Sequence, residues 1–264
     1  MIPVASDGLP ARLGRIWTSE KLSYLEKYAR AFTTAMRRRW ERLIYIDLLA
    51  GPGRDIDPDT NDEFNGSPLI ALSTKPPFDH LFFGDKDPEN ISALKARVPE
   101  TDRRRVTIKR GDCNSLVGPI VRDLSGGTLG LAFVDPEGFE VEFETLRLLA
   151  KRRIDVIYLF ASGIGFRRNL KNFKSMAQNP LVDRWWGGPD WREIPARSVV
   201  KEFMKKIVAA GFPYYDEFAP PIRNGRNAQM YDLLFFAHHE LALKLWRGIK
   251  KNPPGGQRSF RGIT

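Results

Sequence analysis

Cysteine is almost missing from this 264-residue chain: Cys113 is the only one. That excludes an intrachain disulfide and any cysteine cluster for zinc or iron–sulfur. Histidine is nearly as scarce. His238 and His239 are adjacent, so their rings point apart on a helix or a strand, and His80 is remote in sequence. No metal site is expected. No apolar run approaches the roughly 18 residues of a membrane span. The opening MIPVASDGLPAR lacks a long apolar core, so no signal peptide is expected and the protein is assigned to the cytoplasm. Acidic residues run short as well: 32 Asp and Glu stand against 42 Lys and Arg, a net charge of +10. Such a balance favours a polyanionic partner, nucleic acid first.

Hydrophobic residues make up 42% of the chain, enough for a sizeable core, and their spacing alternates between two periods. Residues 1–15 read as a loose arm. Leu22, Leu25, Ala29, Phe32 and Met36 form one stripe of a helix starting near Trp17, with Thr18 or Ser19 as its cap. Strand-like runs follow at 43–49, HLFFGDKD, RVTIKRGDCN, TLGLAFVDPEG and IDVIYLFAS. Helical segments separate them, among them GSPLIALSTK with Ser67 as cap and PENISALKARV with Asp87 as cap. This rhythm implies a mostly parallel sheet with helices on both faces. After Arg167 it gives way to a helical insertion over 168–212, then a hairpin across the turn NGRN, a closing helix at 239–251 and a tail over 252–264 that reads as disordered. Five parallel strands plus a hairpin, with the last strand antiparallel, is the α/β architecture of class I methyltransferases: a Rossmann-like sheet of seven strands in a single domain spanning 1–264.

The stretch YIDLLAGPGRD, residues 45–55, opens this pattern as many nucleotide-binding domains do. A dinucleotide fold needs G-x-G-x-x-G with a helix starting inside the motif, so that its N-terminus meets the pyrophosphate. Here the third glycine is missing, and RDIDPDTNDEFNG after Gly53 reads as loop, a possible cofactor lid. The lysine and serine of a phosphate-binding loop are missing too. S-adenosylmethionine carries no phosphate. It asks for bare backbone, which Ala50, Gly51 and Gly53 supply, and for carboxylates near its amino group and ribose diol. Asp47, Asp85, Asp112 and Asp135 fall at the carboxyl ends of four strands, where ligands bind in open α/β sheets. Asp85 is placed to accept the ribose hydroxyls, Asp112 the adenine amino group, and Asp135 faces the reaction centre. Cys113 reads as a buried filler beside the adenine.

The ordered set YIDLLAGPGRD, GSPLIAL, FFGDKDPENISALKAR, GDCNS, LAFVDPEGFEV and SGIGFRRN resembles the three-Cys-motif partner family across about residues 17–250. The resemblance implies a class I methyltransferase-like fold and S-adenosylmethionine as cofactor. It also implies a neighbouring radical-SAM-like protein, which carries the three cysteines, as a partner. By analogy with class I enzymes, Asp47, Gly51 and Gly53 hold the methionine part, Asp85 the ribose and Asp112 the adenine. Asp135 and Pro136 stand where amino-methylating enzymes of nucleic acids carry an Asp/Asn-Pro-Pro-aromatic motif. Glu137 replaces its second proline, Gly138 replaces its aromatic, and Phe139 offers a ring one place later.

Methyl transfer is an in-line displacement in which alignment supplies most of the catalysis. Asp135 is expected to orient the acceptor and Glu137 to take its proton. Arg103–Arg105 and Lys151–Arg153 fall at the amino edge of the sheet and read as solvated surface. Arg167, Arg168 and Asn169 follow the fifth strand at the carboxyl edge, where they are expected to meet an acidic substrate. Trp185, Trp186 and Trp191 read either as a stacking platform for an extruded base or as the core of the insertion. The expectation is an S-adenosylmethionine-dependent methyltransferase acting on nucleic acid. The alternatives are a nucleoside- or nucleic-acid-binding partner subunit without methyl transfer, and a peptide or small-molecule methyltransferase.

Overall fold

The computed structural model describes residues 3–224 and 227–251. The tail over 252–264 lies outside the described residues, as does the middle of the NGRN turn. In chain order the elements begin with β1 (Arg12–Leu13), α1 (Ile16–Met36), β2 (Arg42–Asp47), β3 (Arg54–Ile56), β4 (Glu63–Asn65) and α2 (Ser67–Ser73). Next come β5 (His80–Asp85), α3 (Pro88–Arg97), β6 (Val106–Arg110), α4 (Cys113–Arg122), β7 (Thr128–Val134), α5 (Phe143–Ala150) and β8 (Ile154–Phe160). The insertion holds α6 (Arg168–Ser175), α7 (Pro180–Trp186) and α8 (Val199–Ala210). The chain then closes with β9 (Tyr214–Tyr215), β10 (Pro221–Arg223), β11 (Gln229–Ala237) and α9 (Glu240–Lys250).

The main sheet runs β10-β11-β8-β7-β2-β5-β6, with the short β9 also paired to β11. β2, β5, β6, β7 and β8 are parallel, and β11 enters antiparallel to β8. This is a Rossmann-like sheet of five parallel strands closed by a hairpin whose last strand is antiparallel, as the strand rhythm predicts. β7 and β8 are buried along their whole length, so their runs TLGLAFV and IDVIYLF are apolar on both faces. Alternation in β2 splits the core in two. Ile44 and Ile46 pack with α4, α5 and the insertion, while Leu43 and Tyr45 pack with α1, α2 and α9.

The structure corrects the expectations for the arm, the 54–66 segment and two helix caps. Residues 3–15 are not a loose arm. β1 pairs with β3 and β3 with β4 in a separate three-stranded sheet, so the 54–66 segment is a hairpin that binds the arm. Arg97 fastens the same arm, bonding Asp7 at 2.8 Å and the carbonyls of Pro10 (2.7 Å) and Pro52 (2.8 Å). The cap residue of α1 is Arg15, not Thr18 or Ser19, and that of α2 is Gly66, with Ser67 inside the first turn. Of the two tryptophan readings, the core of the insertion is the one observed. Trp185, Trp186 and Trp191 are fully buried, and Trp185 stacks on Phe160 at 4.9 Å and donates to the Tyr158 hydroxyl at 3.0 Å.

Candidate functional site

At the carboxyl edge of the sheet, β2 ends and the chain turns sharply through Gly51 (φ +62°) and Gly53 (φ +91°), both in the left-handed region that favours glycine. The turn is stitched to β5: Ala50 N–H donates to the Gly84 carbonyl at 2.9 Å, and Gly51 N–H donates to Asp85 Oδ2 at 2.8 Å. Asp85 Oδ1 accepts from Asp87 N–H at 2.8 Å and from Asn90 Nδ2 at 3.2 Å. Asp87 instead caps α3 by accepting from Glu89 N–H. A carboxylate offers about four lone-pair sites, so Asp85 keeps capacity for a further donor.

Asp85 opens onto a cavity of about 270 Å³ that also touches Leu48, Leu49, Asp112, Cys113, Asp135 and Glu137. The size is near the lower end for small-molecule clefts, roughly 300–1,000 Å³. Asp112 caps α4 through Asn114 N–H at 2.9 Å, which leaves its side chain exposed at the rim. Burial pushes the Cys113 thiol up to about 12, which suits a filler rather than a nucleophile. In the loop after β7, Glu140 accepts from the N–H groups of Glu137 (2.9 Å) and Gly138 (2.7 Å), fixing the DPEG segment while the Glu137 side chain stays exposed.

Other expected residues stand elsewhere. Asp47 is fully buried beneath the turn and does not line the cavity. Burial lifts its carboxyl to about 7, against hydrogen bonds from Ser67 and Leu49 N–H. Gly53 packs toward Leu94 and Leu69. Phe139 meets Trp185 at 4.7 Å and Phe173 at 5.6 Å, so its ring joins the core of the insertion. Arg167 donates to the Ala196 carbonyl at 3.2 Å and lies 3.9 Å from Asp232, itself bonded by Ser162. Asn169 bonds the Gly165 carbonyl at 2.8 Å, and Arg168 is exposed.

Three charged side chains beside the crevice go unnoticed in the sequence reading: Arg12, Lys21 and Asp55. Asp135 is only 5% exposed, and Lys21 from α1 grips both its oxygens at 2.8 and 2.6 Å. Arg12 from the arm bonds buried Asp55 at 3.3 Å and stands 3.9 Å from Asp135. Burial opposes the Arg12 charge, but Asp55, Asp135 and Asp47 outweigh it and hold the guanidinium firmly protonated. Lys21 had a readable signal. It sits 3 residues after Thr18 and 4 before Leu25, on the buried side of α1. Arg12 had none, because its place depends on a sheet formed with β3.

No protein-family model and no curated protein matches the chain. Solved structures do. Protein LPL1258 from Legionella pneumophila aligns over 90% of this chain and 91% of its own, at 11% identity and a TM-score of 0.53. A precorrin-6y C5,15-methyltransferase from Geobacter metallireducens aligns over 89% and 97%, at 12% identity and a TM-score of 0.43. EvdMO1 aligns over 83% of this chain at 12% identity and a TM-score of 0.46, and this chain spans 42% of that one. At these identities the likeness is one of fold.

Proposed function

We propose that the chain binds S-adenosylmethionine in the crevice between β2, β5, β6 and β7 and transfers its methyl group to a nucleic-acid acceptor. The observation that carries the reading is Asp85. It is a carboxylate at the end of β5, oriented by Gly51 N–H and open to a cavity walled by Leu48, Leu49 and Cys113. That donor set fits the group: Asp85 faces a diol, apolar walls sandwich a purine, and Asp112 at the rim accepts from an exocyclic amine. Bound there, the cofactor supplies a methyl carbon activated by a sulfonium. The protein's part is to hold the donor, exclude water and align the acceptor in front of Asp135.

A nucleic-acid acceptor is supported by the net charge of +10 and by exposed Arg168 at the carboxyl edge. The experiment is transfer of labelled methyl to tRNA, DNA and total protein, with Asp135→Ala as control. Label on nucleic acid that disappears in the variant supports the reading, and label on protein alone contradicts the acceptor.

A second reading rests on Lys21. Its ammonium is held on both Asp135 oxygens, so Asp135 is committed to an ion pair rather than standing ready to orient a base amino group. That favours a cofactor-binding partner subunit, working beside a radical-SAM-like protein, in which methyl transfer has been lost. A preparation that binds the cofactor yet labels none of the three acceptor pools favours this reading.

A further inference from the structure

Arg12 leans over the bare backbone of the glycine turn at Gly51. A Cβ built on Gly51 would lie 3.6 Å from Arg12 Cζ and 3.7 Å from Nη1, an ordinary contact distance, so the guanidinium rests directly on the turn. The same side chain lines the cavity that Asp85 opens onto. A guanidinium has five N–H donors. One is spent, Nε on Asp55 at 3.3 Å, while Nη2 is 3.9 Å from Asp135 and the side chain keeps 31% exposure. Lys21 is different: its ammonium is held on both Asp135 oxygens and does not line the cavity. The cavity therefore has a hydroxyl-accepting end at Asp85 and, across the turn, a planar cation anchored through Nε on Asp55, with Nη2 turned toward Asp135 at 3.9 Å.

We propose that Arg12 is the ligand of the carboxylate on the cofactor's methionine part, and that the arm is thereby a component of the cofactor site. The proposal rests on the S-adenosylmethionine reading above. Asp55 acts through Arg12: being 1% exposed and anchored in the β3–β4 hairpin, it fixes the guanidinium from behind through Nε, so that Nη1 and Nη2 are the groups that pair with the carboxylate. The arm, whose only regular element is the two-residue β1, is held by the hairpin and by Arg97, so cofactor binding and arm docking reinforce one another.

Two nucleosides separate this from the parent reading. S-adenosylhomocysteine carries the carboxylate, whereas methylthioadenosine keeps the adenosine and thioether and lacks the carboxylate and amino groups. Calorimetric titration of the full-length protein and of Arg12→Ala with both is the test. The expected result is a loss of about tenfold or more in affinity for S-adenosylhomocysteine with methylthioadenosine changed less than about twofold. Equal losses for both ligands, or no loss for S-adenosylhomocysteine, overturn the proposal. If circular dichroism shows Arg12→Ala unfolded, Arg12→Gln is judged by the same two titrations. Wild-type protein that binds neither ligand defeats the parent reading, a different outcome from one that binds both and is insensitive to Arg12.

Discussion

Asp135 shows how a residue's role changes once its neighbours are known. As the last acid of a strand it promised an acceptor-orienting group. In the fold it is buried in a close ion pair with Lys21. Removing one member of a buried pair leaves an uncompensated charge, typically at a cost of about 3–5 kcal/mol. Lys21→Met is expected to lose stability on that scale in urea denaturation, and adding Asp135→Asn is expected to recover most of it. Buried acids also set a pH dependence. Burial lifts Asp155 to about 7 despite the hydrogen bond from Tyr28, and Asp47 to about 7 as well. The folded chain then holds protons that the unfolded chain has released, so these two groups lower stability as pH rises from about 4 to about 7, with no further change above. Asp155→Asn keeps an acceptor for Tyr28 and removes the charge. It is expected to be more stable than wild type at pH 8 by about 1 kcal/mol or more, with a clearly smaller gain at pH 4, as read by denaturant midpoints at the two values.

Among the elements, the parallel strands and their crossover helices were legible because most carry a local signal: an apolar run such as β7 or β8, and at α3 and α4 an aspartate cap followed by buried apolar residues. The arm and the 54–66 hairpin were illegible for the converse reason. β1, β3 and β4 are two or three residues long and full of Arg, Asp, Glu and Asn, and they exist only through one another. Arg97 holds the arm to α3 and to the glycine turn, and its bidentate pair draws the Asp7 carboxyl down to about 2. Arg97→Ala is expected to release the arm, read as faster amide exchange and new protease cuts within residues 3–15 while the main sheet stays protected. The tryptophans were legible as a cluster, with the core of the insertion the commoner reading of such a group. Full burial decides it. Trp185→Ala is expected to cost about 3–5 kcal/mol in stability; unchanged stability with lost nucleic-acid binding would reinstate the platform.

At the scale of the molecule, residues far apart in sequence converge on one crevice: Lys21 and Asp135 are 114 positions apart, Arg12 and Asp55 are 43. The acids came into view early because strand ends share one edge of a parallel sheet. Their cationic partners did not, because α1 and the arm reach that edge from the side. Asp47, read as a holder of the methionine part, lies buried beneath the crevice, and Phe139, offered by analogy as a stacking ring, belongs to the core of the insertion. Among the described residues no helix is long and apolar enough to cross a membrane. The central claim is that the crevice at Asp85 and Gly51 holds an adenosyl ligand. Isothermal titration with S-adenosylhomocysteine, run on wild type and on folded Asp85→Ala, tests it most directly. The account predicts one saturable site in the wild type and a loss of at least about tenfold in affinity in the variant. Folded wild type that takes up no ligand, or a variant that binds as tightly as wild type, would contradict it.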